Sequence, residues 1–213
     1  MLDVAHGSTP AQVRSTVIEK DMVRPFAGGR GWVVVNPLCP PRMWSTLADA
    51  VARAFEGTVL AGEGPGDAMR VQRAVGASAQ AIVRLQSALV EPNLPLDAQL
   101  VGVLGHDSVL DIAISSGMRV FRARGAEPKR LLNNAQRTPG IVRGGLLVST
   151  ERLQRGDLYV LGSRDAFGTR PMGAVAGMIS KNPDAAPEAL LDAALSTCRT
   201  AGIPAALVVA RVR

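Results

Sequence analysis

The stretch "DLYVLGSRDAFG", residues 157–168, opens on four apolar residues, Leu158, Tyr159, Val160 and Leu161, and stops on Gly162-Ser163-Arg164-Asp165. A short unbroken apolar run rich in strand formers reads as a buried strand. Small and charged residues at its end are where a scaffold commonly carries a site. The role of an arginine at that end depends on what the rest of the chain builds around it.

Further period-two or apolar runs precede and follow that strand. "GWVVVN" (31–36) reads as a buried strand, and "AQLVGVLG" (98–105), "SVLDIAIS" (108–115) and "MRVFRARG" (118–125) read as three strands of an antiparallel meander. Their turns fall at Gly105-His106-Asp107 and Ser115-Ser116-Gly117. "GGLLVST" (144–150) adds a strand, residues 125–143 read as loop, and "AALVVARV" (205–212) closes the chain with a last strand.

Helices lie between these runs. Ser45 is a candidate N-cap for a helix through about Glu56, with Gly57 as its stop. "GEGPG" reads as a flexible turn before a longer helix, from near Asp67 to about Leu89. There Val71, Val75, Ser78, Ile82, Leu85 and Leu89 share one face, and a small serine among them suits close packing. A short helix near 172–180 and one from Pro187 to Thr200 precede the final strand. The pattern is α+β. No linker divides it, so one domain is expected over residues 1–213.

Composition narrows the function classes. At 213 residues with 47% apolar content, the chain can bury a full core, made mainly of Ala, Val and Leu because aromatics are only 3%. The net charge is +6, but the basic residues are scattered without interleaved aromatics, so a nucleic-acid partner is not expected. Cys39 and Cys198 make no disulfide framework, and His6 and His106 are isolated, so no structural zinc is expected. No apolar run is long enough for a transmembrane span and no secretory signal is visible, so a cytoplasmic protein with no membrane partner is expected.

The order of elements and several strings resemble the type 2C family of metal-dependent protein Ser/Thr phosphatases. "RGDLYVLGSRDAFG" resembles that family's late strand of the form Gly-Asp-apolar-apolar-apolar-Leu-x-Ser-Asp-Gly, with Gly156, Asp157, Leu161 and Ser163 in place. "DIAISSGMRVFRARG" resembles the strand pair around Gly-Asp-Ser-Arg, with Arg119 at the arginine. The frame covers about residue 12 to 213. It implies two antiparallel sheets packed as a sandwich and flanked by helices.

The resemblance also implies two divalent metals held mostly by aspartates, because hard cations want several anionic oxygens. At the positions it assigns, this chain has Asn36 and Pro37 for the first Asp-Gly, Gly117 for the second aspartate, Arg164 for the third and Ile203 near the last. The early Arg-x-x-Asn-Glu-Asp motif lies loosely on "RSTVIE", with Arg14 at the phosphate-binding arginine and Ile18 at the glutamate. A guanidinium stays charged, and like charges about 4 Å apart repel by roughly 4 kcal/mol even at an effective dielectric near 20. Two-metal binding should therefore be lost, and no metal or other cofactor is expected.

The expectation is a pseudophosphatase, a regulatory or binding module in signalling, with a protein partner and a phosphorylated one among the candidates. Arg14, Asn36 and Arg164 are the candidate phosphate or ligand-binding residues, with Arg119 as a possible addition to that cationic set. The more ordinary role for Arg164 is a salt bridge to Asp165 or another acid. The alternative is a divergent metal-dependent phosphatase with relocated ligands, for which Asp107, Asp111, Glu19 and Asp21 are the available acids; a one-residue register shift would bring Asp165 to the ligand position, but one acid cannot hold two metals. Cys39, without a histidine partner, is an incidental thiol rather than a nucleophile.

Overall fold

The computed structural model describes residues 1–13, 16–62, 68–90, 94–125, 127–132 and 140–213. Residues 63–66 of the turn read at "GEGPG" and the candidate Arg14 lie outside the described residues.

Strands β1 (Leu2–Thr9), β2 (Ala11–Val13), β3 (Thr16–Ile18), β4 (Met22–Phe26) and β5 (Gly31–Leu38) come first. Helices α1 (Trp44–Ala61) and α2 (Ala68–Ser87) follow, then β6 (Asp97–His106), β7 (Val109–Ser115), β8 (Met118–Arg124), β9 (Glu127–Arg130), β10 (Leu146–Arg152) and β11 (Leu158–Ser163). Helices α3 (Thr169–Lys181) and α4 (Pro187–Thr200) precede the closing β12 (Ala205–Val212). One sheet runs β1-β12-β11-β8-β9 and the other β10-β7-β6-β5-β4, each antiparallel, with β2 and β3 as a separate ribbon.

Three apolar layers hold four structural layers together. Trp32, Val34, Val101, Ile112 and Ile114 meet Val120, Tyr159, Leu161 and Val208 between the sheets. Val33, Val35 and Leu100, on the other face of the β5–β6 sheet, pack under Leu47, Val51, Phe55, Val71 and Ile82 of α1 and α2. Val160, Leu207 and Val209 pack under Val175 of α3 and Leu190, Leu191 and Leu195 of α4. Both sheets are covered on both faces, which explains why β5, β11 and β12 read as continuous apolar runs rather than alternating ones. The expected α+β sandwich flanked by helices is therefore the observed architecture.

Several details depart from the sequence reading, among them the expected Ser45 N-cap: the helix begins at Trp44, with Met43 at the cap position and no side-chain cap bond. The helix at residues 44–61 runs through Gly57, because Val59 beyond it is still buried on the same face as Val51 and Phe55. The three-strand meander is two paired strands plus a corner: β7 pairs with β6 and β10, whereas β8 crosses to the other sheet and pairs with β11 and β9. Ile112 and Ile114 before the corner and Met118 and Val120 after it enter the same layer, so the period-two pattern is indifferent to which sheet holds β8. The loop 125–143 contains β9. The first strand, β1, is weakly apolar and is held at the sheet edge by β12, about two hundred residues away in the chain, with Leu2 opposite Val212.

Ser78 has the place expected of it. It is fully buried, and its hydroxyl lies 3.0 Å from the Val51 carbonyl of α1 and 3.0 Å from the Ala74 carbonyl of its own helix, where α1 and α2 touch. Asp97 ties down another segment: its Oδ1 accepts from the amides of Ile141 at 2.9 Å and Val142 at 3.0 Å.

The end of β11 is closed by a side chain. Gly162 is the last residue of β11 in register with β12, opposite Leu207, and beyond it the Ala206 amide donates to the Ser163 hydroxyl at 2.9 Å. A methyl group on Gly162 would run into the Ala206 carbonyl oxygen, which is backbone and cannot rotate away. Gly162→Ala is expected to destabilise the fold by about 1–3 kcal/mol. The check is the urea midpoint with an unchanged slope; an unaltered midpoint would show that the strand end is loose.

Candidate functional site

The inter-sheet layer dictates what points inward where the sandwich ends. Val23 lies opposite Val34, and Val34 opposite Val101, all against that layer. Side chains alternate along a strand, so two residues further on, Asp21, Asn36 and Gln99 stand abreast on the same face. The registers agree: Asn36 is opposite Gln99, and Asp21 is one step before Met22, which is opposite Val35. From the other sheet Ser163, two residues beyond the inward Leu161, faces the same end.

This polar rank is buried: Asp21 is 2%, Asn36 6% and Ser163 0% exposed. Among the described residues, neither carboxylate oxygen of Asp21 nor the side-chain oxygen of Asn36 has a partner at hydrogen-bond geometry, although the Ser163 hydroxyl stands close enough to Asp21 to favour its charged form. Burial pushes the Asp21 carboxyl up to about 6; the neighbouring Ser163 hydroxyl and Lys20 pull it back, and Asp165 pushes it further up. Gly117 sits at the β7–β8 corner with φ of +89°, and a side-chain carbon there would run into the Gln99 amide. Gln99 thus fills the space over the position where the resemblance expects a metal-binding aspartate.

Asp21 is the residue whose importance the sequence understates. It appeared only as one acid among several, because "EKDMVRPF" carries charges on both sides of it. The usable signal is register: pairing residues 22–26 with 31–35 sets Asp21 beside Asn36.

The other candidates fall elsewhere. Arg164 is exposed and begins a single turn of 3-10 helix, Arg164–Phe167. It makes no ion pair with an acid among the described residues; consecutive residues on a helical turn do not face each other, which keeps Asp165 from serving. Arg164 lines an open cleft of ≈ 630 Å³ with Arg119, Asp165, Phe167 and Thr169, and Asn36 is not part of that lining. Cys39 has its thiol pushed up to about 11 by burial, with Lys20 pulling it back, which leaves it a poor nucleophile. Asp111 is buried and occupied, 2.7 Å from His106 Nε2 and accepting from the Thr150 hydroxyl at 2.5 Å. Asp107 sits in the β6–β7 turn and Glu19 is exposed.

The residues present do not fit the pair of divalent metals that this fold family implies. The inward rank offers one carboxylate, one neutral amide oxygen and a hydroxyl, and among the described residues no three His, Cys, Asp or Glu side chains form a group able to hold a metal ion. Two dications call for several anionic oxygens.

No family model matches the sequence, and no curated protein sequence does. Solved structures match the whole fold. The serine/threonine phosphatase PstP/Ppp of Mycobacterium tuberculosis aligns over 100% of this chain and 99% of its own, with TM-score 0.76 and 18% identity. The catalytic domain of PstP in complex with two manganese ions aligns over 100% and 99%, with TM-score 0.79 and 18% identity. The PPM Ser-Thr phosphatase MsPP of Mycobacterium smegmatis, in complex with cacodylate, aligns over 99% and 98%, with TM-score 0.78 and 13% identity. The chain has the fold of the PPM-type, phosphatase 2C-like Ser/Thr phosphatases.

Asp21 should set a pH dependence. Its folded pKa lies above the ordinary carboxylate value, so between about pH 4 and pH 6 the native state binds more protons than the unfolded one, and stability falls as pH rises through that window. Above it, the charged carboxylate costs roughly 3 kcal/mol. Asp21→Asn removes the charge and should raise stability by roughly that amount above the window and by nothing below it. Urea titrations of both proteins on either side of the window check this; parallel pH profiles would exclude Asp21 as the source.

Proposed function

We propose that this chain is a pseudophosphatase: a regulatory or binding module on a phosphatase frame that does not carry out two-metal hydrolysis. The observation that carries the reading is the inward rank at the end of the sandwich, where Asp21 is the one carboxylate beside neutral Asn36, Gln99 and Ser163. In the solved PstP catalytic domain this fold carries two manganese ions. Here a comparable load would rest on a single carboxylate that burial already holds partly protonated near pH 6. Two-metal phosphoryl chemistry needs both ions to polarise the phosphate and to lower the pKa of a bridging water, and one anionic ligand supports neither.

The module's role is then recognition of a protein partner within signalling, without a cofactor of its own. Both cysteines are free thiols, which suits the reducing cytoplasm. A second reading, a divergent phosphatase with relocated ligands, has a specific foothold in the unpartnered Asp21 oxygens and in Asp165 close enough to act on them.

Turnover separates the two readings. The folded protein is assayed on p-nitrophenyl phosphate and on a phosphothreonine peptide, with Mn²⁺ and with EDTA. The expected result is no hydrolysis above buffer in either condition. Hydrolysis that requires Mn²⁺ and is lost both in EDTA and in Asp21→Asn would establish the relocated site and overturn the module reading.

A further inference from the structure

The rank described above faces into the sandwich; the cleft lined by Arg119 and Arg164 lies on the other face of the same sheet. Met118 and Val120 of β8 enter the inter-sheet layer, so Arg119 and Phe121 point outward toward the helices. Arg130 of β9 lies opposite Phe121 and therefore shares that face, as a diagonal neighbour of Arg119. Phe121 stacks on Phe167 with ring centroids 5.3 Å apart, and this contact sets the 164–167 turn, and Arg164 with it, over the end of β8.

Among the described residues, the arginines gathered there have no acid bound to them. Elsewhere on β8 the arginines have acids: Arg122 donates to Glu151 at 2.9 Å, and Arg124 makes two bonds of 2.8 Å to Asp157. Arg119 donates to the carbonyl of Met118 at 3.0 Å and Arg130 to that of Leu132 at 3.2 Å, and neither makes an ion pair with an acid among the described residues. Burial, and then Arg130 and Arg164, hold the Arg119 guanidinium below its usual range. The one acid in the lining is the exposed Asp165.

The same cleft receives the start of α3. Gly168 caps that helix without a side-chain bond, no acid stands in its first turn, and Arg170 places a positive charge there against the helix dipole. The Thr169 hydroxyl lies in the lining, and Ile203 and Phe167 give it an apolar wall.

We propose that this outward cleft is a metal-independent binding site for a phosphate monoester, held by the guanidiniums of Arg119 and Arg164 and by Thr169 at the start of α3. The proposal rests on the module reading, because it assigns recognition and not hydrolysis to the chain. Two planar guanidiniums offer paired donors, and a tetrahedral dianion has three terminal oxygens to receive them where a carboxylate has two. A dianion also offsets the charge of both arginines, while Phe167 and Ile203 receive the carbon skeleton that bears the phosphate. The phosphate is either a phosphorylated residue of a partner or a free small phosphate, and the chemistry at the cleft is the same for both.

The test is fluorescence anisotropy in EDTA with a labelled phosphothreonine peptide, its unphosphorylated copy as control, and inorganic phosphate as competitor. Arg164→Ala and Thr169→Ala alter exposed side chains and should leave the fold intact, which thermal unfolding confirms. The proposal expects the phosphopeptide to bind at least tenfold more tightly than its copy, at least tenfold weakening in Arg164→Ala, and partial rescue in Arg164→Lys. Competition by millimolar phosphate alone assigns the site to small phosphates; competition only by excess phosphopeptide assigns it to a protein partner, and both uphold the cleft. Equal binding of the two peptides, or phospho-dependent binding unchanged in Arg164→Ala, overturns it. Manganese-dependent hydrolysis of the peptide would sink the module reading instead, and the comparison in EDTA would still decide the cleft.

Discussion

The packing of one sheet on the other determines where every polar group of this protein ends up. Trp32, Val34, Val101 and Ile112 against Val120, Tyr159, Leu161 and Val208 fix which face of each strand is inner. A slip of one residue would send each of these side chains to the wrong side, so register is held firmly by burial. That constraint extends past the apolar layer. Asp21, Asn36, Gln99 and Ser163 are inward because the residues two positions away are inward, whatever the cost to the polar groups themselves. Arg119 is outward for the same reason.

The end of the sandwich is therefore a compromise between register and solvation. An unpartnered buried carboxylate is costly, and the three apolar layers give the fold room to carry it. The neighbouring space is filled rather than open: Gln99 lies over Gly117, and the Ser163 hydroxyl is engaged by the Ala206 amide at 2.9 Å. This is a packed strand end, not a ring of oxygens arranged around a shared centre.

Much of the fold was legible in the sequence because burial on both faces leaves long apolar runs, and those runs name β5, β6, β11 and β12 directly. What stayed hidden had non-local causes. β1 is specified by its pairing with β12 rather than by its own weakly apolar residues. The crossing of β8 between sheets is invisible to a period of two, which both sheets satisfy. Gly57 reads as a stop because helix propensity is local, whereas the burial of Val59 that carries α1 past it is tertiary. At the site, the positions of Asn36 and Arg164 were readable from strand ends, but the company they keep was not. Asn36 belongs with Asp21 on the inner face, and Arg164 with Arg119 on the outer one.

That separation bears on the proposal that this frame stands without metals. One solution would set a cation from the protein inside the rank to balance its carboxylates. Arg164 does not do this, being exposed at the cleft; Lys20 supplies a partial balance, pulling the Asp21 carboxyl down while Asp165 pushes it up. The chain instead has little negative charge to balance. A single inward carboxylate can be neutralised by one proton, which burial favours up to about pH 6. In the proposed module, a rank discharged by protonation would need no metal to fold, whereas several aspartates at the same spacing would repel one another unless an ion bound between them. The arginines of the outer face are then free of any structural duty toward the rank, and their unmatched charge is available to a ligand.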